Sequence, residues 1–156
     1  MIGGPLGFPG PRRPAGAAGA AALDRFTHWL TLLGDALEAA DLEALKPLFT
    51  VEATFAPDSF APLERGRRAV IERLAVEVAG SSGLSFEARV LGAGETYGVA
   101  HIRLVSEERT VDGVLLVAMD ARGRCTALRR WSHVSDGGGS GAAAQSAERV
   151  QEGVDE

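Results

Sequence analysis

The stretch that most constrains this chain runs from Gly34 to Ile71, where two helical patterns, a proline-rich aromatic turn and a third helix start follow without a break. Ala36, Leu37 and Ala40 continue an apolar stripe, Asp41 can cap a new turn, and Leu42, Leu45, Leu48 and Phe49 recur at helical spacing. Then the pattern changes. Phe55, Phe60 and Leu63 lie among Ala56, Pro57 and Pro62, a run too rich in proline for a helix interior and too apolar for an ordinary solvated loop. Such a loop is expected to fold back over a cavity. Gly66 closes it, and from Arg67 to Val78 a three-to-four period returns through Val70, Ile71, Leu74 and Val78. The whole stretch reads as one wall of a pocket.

Upstream, a first helix is expected from about Leu23 or Asp24 to Ala39, with Leu23, Phe26, Leu30, Leu33 and Leu37 on one face and Trp29, Leu32 and Ala36 widening it. Gly34 inside that helix costs about 1 kcal/mol relative to alanine. A close helix-to-sheet contact would explain it, and so would simple tolerance. Pro47 makes the second helix short or kinked near Lys46. Downstream the period falls to two. Leu84 to Leu91 alternates as a strand with one wet face, and Thr96 to Ser106 puts Gly98, Ala100, Ile102 and Leu104 on one face against Tyr97, Val99, His101, Arg103 and Val105. Gly113 to Met119 is apolar on both faces, as a central strand should be, and Arg124 to Val134 is the last strand, with Trp131 near its end. Residues 1–22 are expected as a disordered Gly/Pro/Ala leader and 136–156 as a disordered Gly/Ser and acidic tail, leaving 23–135 as the folded domain.

Composition removes several classes of function. With 156 residues and 46% hydrophobic content the chain is one domain with a real core. A net charge of −5 and scattered arginines exclude a nucleic-acid or anionic-membrane surface, which needs clustered cations. The pairs Arg12/Arg13, Arg67/Arg68 and Arg129/Arg130 read as solvated edges. Cys125 stands alone, so no intrachain disulfide forms, and a lone cysteine in a strand reads as a small core residue. No run reaches membrane-spanning length, and the expected setting is the cytoplasm. Without a His/Cys cluster, GxxxxGK[ST] or GxSxG, no metal centre, phosphate loop or nucleophile elbow is expected.

The "GD" and "AAD" steps, the short helix ending in Leu-Phe, "EATF", the Pro/Asp loop and "GRRAVIERL" together resemble the SnoaL-like branch of the nuclear transport factor 2-like superfamily, over roughly Phe26 to Val134. The resemblance implies a cone-shaped α+β fold, with three N-terminal helices packed on a curved, mostly antiparallel sheet around a ligand cavity. It also implies ketosteroid isomerase and polyketide cyclase relatives, no cofactor, and pairing as a homodimer.

Within that frame Asp58 and His101 are the candidate catalytic residues. Asp58 lies in the proline-bounded apolar loop, where the isomerases carry a catalytic carboxylate one residue earlier, at the position of Pro57. It serves equally well as a turn cap beside Pro57. His101 shares a strand face with Tyr97 and Arg103, and these three meet a ligand if that face lines the cavity or solvent if it does not. Trp29, Phe55, Phe60 and Trp131 are candidate cavity lining or core. Several family features are absent: the Arg-x-Asp element of the epoxide hydrolases, the strand aspartate of the cyclases, and the first-helix tyrosine of the isomerases. Two functions therefore stand side by side. One is acid/base isomerisation, cyclisation or dehydration of a hydrophobic polyketide- or steroid-like molecule; the other is a non-catalytic ligand-binding or dimeric interaction domain.

Overall fold

A computed structural model describes residues 16–136 of the chain. The first helix, α1, spans Gly16–Ala39, so it starts ahead of the expected Leu23 or Asp24 and takes in part of the stretch assigned to a leader. Alanine is the reason: positions 17, 18 and 20–22 are all Ala, the strongest helix former, and Ala22 is already buried. The helix ends at Ala40, whose φ of 51° is left-handed, and the Asp41 amide reaches back to the Ala36 carbonyl at 2.9 Å. As expected, Asp41 then caps the next turn, accepting from the Ala44 amide at 3.1 Å. That turn, α2 (Leu42–Leu45), tightens into a 3-10 turn (Lys46–Leu48) where Pro47 removes a donor.

At Phe49 the chain becomes a strand that the sequence pattern does not announce. β1 (Phe49–Ala56) is followed by the exposed loop of Asp58 and Phe60, the two-residue β2 (Glu64–Arg65), and α3 (Arg67–Val78). Four longer strands complete the sheet: β3 (Ser85–Ala93), β4 (Tyr97–Val105), β5 (Arg109–Met119) and β6 (Cys125–Asp136). Their order is β2-β1-β6-β5-β4-β3, antiparallel throughout except for the parallel β1–β6 pair. The architecture is α+β, with three helices packed on an open six-stranded sheet.

The helices cover one face. Ala100, Ile102 and Leu104 of β4, Val111, Leu115 and Val117 of β5, and Leu128 of β6 are buried there with Phe26, Leu30, Leu33 and Leu37 of α1 and Val70, Ile71 and Leu74 of α3. Two glycines let α1 come close. A Cβ at Gly34 would sit 2.5 Å from the Phe86 ring on β3, and one at Gly98 would sit 2.4 Å from the Phe26 ring. The close contact anticipated for Gly34 is thus made, and it sets the helix directly on the sheet. The free side of β3 is met by α1 as well: the Phe86 amide donates to Glu38 Oε1 at 2.8 Å.

Candidate functional site

Because β4 alternates, burying Ala100, Ile102 and Leu104 turns Tyr97, Val99, His101 and Arg103 to the opposite, outer face. There Asp112 of β5, directly across from Arg103, meets both side chains: His101 Nε2 lies in hydrogen-bond contact 3.0 Å from its Oδ1, and Arg103 Nε forms an ion pair 3.1 Å from its Oδ2. The hydrogen bond from His101, with the nearby charges of His101, Arg103 and His133, holds the Asp112 carboxyl below the usual range. His101 and Arg103 line a shallow concavity with Glu87 and Arg89, of about 360 Å³, and Asp58 does not line it. Register carries the outer face on to Trp131 of β6, half-exposed, with the Arg129 guanidinium 5.2 Å above its ring.

The other expected site residues are spread through the fold. Asp58 is exposed on the loop after β1, and Phe60 stands in solvent at 98% exposure, so this loop does not close over a cavity. The backbone turns outward after Pro57, which is itself buried. Phe55 belongs to the core, and Tyr97 is about half exposed at the β4 end of the outer face. The structure therefore brings His101 and Arg103 together but leaves Asp58, Phe60 and Phe55 apart from them.

Two features differ from the sequence expectations: a buried arginine, and a groove that does take in the expected lining residue Trp29 but lies along the flank of α1. The first lies inside. Arg130, expected with Arg129 on a solvated edge, is 7% exposed, because adjacent residues of a strand face opposite ways. Its Nη1 donates to Glu77 Oε2 of α3 at 2.7 Å, Nη2 donates to Glu77 Oε1, Nε donates to the Pro57 carbonyl at 3.1 Å, and the guanidinium lies 5.4 Å from the centre of the Phe55 ring. Arg109 Nη2 donates to the Glu77 carbonyl at 2.6 Å. Alternation from Leu128, buried on the helix side, would have placed Arg130 inside as well.

The second is a groove of about 650 Å³ along the flank of α1, bounded by α2, the 3-10 turn and the β5–β6 turn. Trp29, Leu32 and Ala36, the residues that widen the apolar stripe, form its floor, with Pro47 and Leu48 as one wall. Trp29 is fixed. Its Nε1 donates to the Leu48 carbonyl at 3.0 Å, and its ring stacks on Phe26 and meets Phe49 edge-on. A largely apolar concavity of this volume, with polar groups at its rim, has the character of a small-molecule site. Among the described residues no group of three His, Cys, Asp or Glu side chains could hold a metal ion.

The fold is shared with the nuclear transport factor 2-like proteins. A protein of this class from Mesorhizobium loti, of unknown function, superposes with a TM-score of 0.58 at 20% identity, over 70% of this chain and 92% of its own. An epoxide hydrolase/cyclase-like enzyme, SalBIII, with a role in pyran ring formation in the polyether salinomycin, gives a TM-score of 0.62 at 12% identity, over 75% and 96%. An LEH-like epoxide hydrolase from M. tuberculosis gives 0.54 at 16%, over 70% and 84%. No protein-family model and no curated protein matches the sequence.

Proposed function

We propose that this chain is a binding module for a hydrophobic small molecule, polyketide- or steroid-like in size and polarity, held in the groove along α1. The single observation behind this reading is the groove itself, about 650 Å³ with the immobilised Trp29 in its floor. Turnover has less support. Acid/base isomerisation, cyclisation or dehydration needs a carboxylate and an imidazole over one ligand, and Asp58 and His101 stand on separate parts of the surface. The reading needs no cofactor and carries a cytoplasmic setting with it. It is tested by a thermal-shift screen of uncharged polycyclic and polyketide-like compounds, repeated with Leu32→Asp. Stabilisation of the wild type that disappears in Leu32→Asp is expected; equal stabilisation of both proteins refutes the groove.

A homodimer through the outer sheet face is a compatible second proposal. All three helices lie on the inner face, so Val99, Val114, Leu116 and Trp131 are left half-covered on the outer one. Sedimentation tests it: wild type runs as a dimer and Leu116→Arg as a monomer, whereas a monomeric wild type refutes the pairing.

A further inference from the structure

The groove is not symmetric along its length. Its apolar floor follows the middle of α1, Asp35 and Asp41 lie towards the C-terminal end of the helix, and Arg25, Arg122 and Arg124 gather at the other end, where the β5–β6 turn closes it. The three arginines differ in how they are satisfied. Arg124 is neutralised by Asp120, its Nε and Nη2 each 3.2 Å from Oδ2. The Arg122 side chain has no carboxylate partner among the described residues; only its backbone amide bonds to Asp120. Arg25 is tethered to the turn between β3 and β4, beside a second concavity that it lines with Glu95 and Asp120. Its Nη2 donates to the Glu95 carbonyl at 2.9 Å, and its stem lies under Gly123, where a Cβ would come within 3.2 Å of Cδ. Gly123 adopts φ +77°, a conformation that admits this close approach without strain. Yet the Arg25 Nε is buried with no hydrogen-bond partner among the described residues. Because that N–H is closed to solvent, what Arg25 offers the groove is its charge and its remaining N–H groups.

We propose that the turn end of the groove is an anion subsite, in which Arg25 and Arg122 receive the negatively charged head group of a ligand whose apolar body lies over Trp29, Leu32 and Ala36. The proposal rests on the reading that the groove holds an apolar ligand, and it adds a feature to that ligand: an anionic head group at one end of the apolar body. Carboxylate and phosphate monoester heads share the acceptor chemistry required. The tethered guanidinium of Arg25 supplies orientation, and the exposed Arg122 supplies a second charge able to close over the head. Arg124 and Asp120 stiffen the turn that carries Arg122: Asp120 Oδ1 accepts from the Arg122 and Arg124 amides, each at 2.9 Å. The chain's net charge of −5 repels anions as a whole, so this local cluster must provide the selectivity.

The test uses Trp131→Phe protein, in which Trp29 is the sole tryptophan and reports from the groove floor. Decanoate, decyl phosphate and 1-decanol are titrated at low and raised salt, and the titrations are repeated in Arg122→Gln and Arg25→Gln. The expected result is a saturable change in Trp29 emission with all three, with one or both anions bound about tenfold more tightly than the alcohol, the ratio one charge-assisted contact supports. Raised salt and either substitution should collapse that ratio by weakening the anions more than the alcohol. Whichever anion binds more tightly identifies the head group. Equal affinities for alcohol and anions, unaltered by Arg122→Gln, overturn the anion subsite and leave the groove standing. Absence of any saturable change in Trp29 emission, together with no stabilisation of the fold by any of the three in a thermal melt, removes the groove reading and the subsite with it.

Discussion

Replacing Glu77 with glutamine should be among the most damaging single changes in this protein, although it keeps the side chain's size. Glu77 is 12% exposed and Arg130 8% as side chains, so the pair is close to fully withdrawn from water, and solvent screening gives little relief. Glutamine removes the counter-charge and one of the two acceptor oxygens, and turns an NH2 group towards the guanidinium, which keeps one amide oxygen, the Pro57 carbonyl and the Phe55 ring face. Breaking a buried ion pair from one side costs about 3–5 kcal/mol, because the remaining charge is stranded. For a domain of this size that is a fall in melting temperature of about 12–20 °C, at about 4 °C per kcal/mol. Arg130→Met should cost less, since Glu77 then keeps Arg73 Nε at 3.9 Å and Arg73 is itself partly hydrated. Combining Glu77→Leu with Arg130→Met should recover most of the loss and end within about 1 kcal/mol of wild type, as replacing both members of a buried pair commonly does. Urea denaturation of the three variants and wild type, fitted with a common slope, measures all of this. If Glu77→Gln costs less than about 1 kcal/mol, or the double variant is no more stable than Glu77→Gln, the pair is effectively solvated and the reasoning fails.

Three further outcomes follow from other parts of the structure. Gly98→Ala drives a methyl into the Phe26 ring and should lower stability by about 1–3 kcal/mol, with Phe26→Leu partly restoring the double variant in a thermal melt. No rescue would place the strain elsewhere. Burial pushes the Cys125 thiol up to about 12 from its ordinary 9.0, so the folded protein should not react with an aromatic disulfide reagent at mildly alkaline pH and should react fully once denatured. The stability this thiol contributes is complete below its unfolded value and lost as pH rises towards 12; rapid labelling of the native protein would contradict its burial. Asp112 works in the opposite sense. Its carboxyl is held low chiefly by the hydrogen bond from His101, so its contribution is present above the unfolded carboxylate range and lost as pH falls through the folded value. Asp112→Asn should flatten the acid limb of a stability-against-pH curve, and an unchanged limb would show that the bond is not maintained in solution.

Much of the framework was legible in the sequence because it rests on local rules. The period of two in Tyr97–Val105, the Asp41 cap and the break at Pro47 each follow from neighbouring residues alone, and each is seen in the structure. β1 was hidden for a specific reason. Phe49 continues the helical spacing of Leu42, Leu45 and Leu48, and the register shift between Phe49 and Thr54 breaks the alternation that would otherwise mark the strand. The start of α1 was hidden by composition, since alanines interrupted by glycines read equally as a flexible leader. The site was less legible than the fold. Trp29, Leu32 and Ala36 stand out as an apolar extension of the α1 stripe, but whether another element covers them depends on where α2 and the β5–β6 turn are placed, which is a tertiary fact. Which face of β4 turns inward is tertiary too, and it decides the surroundings of His101.

The contact between Glu38 and the Phe86 amide reaches beyond the packing of α1. An unpaired strand flank is a template on which a further chain can hydrogen-bond, and repetition of that step builds open-ended aggregates. Here a carboxylate already occupies an outward amide on one flank, and the opposite flank is β2, only two residues long. The sheet is therefore poorly suited to recruiting neighbours side by side. The pairing proposed through the outer surface would be of another kind: a two-fold contact uses up the surface that it joins, and growth stops at two copies.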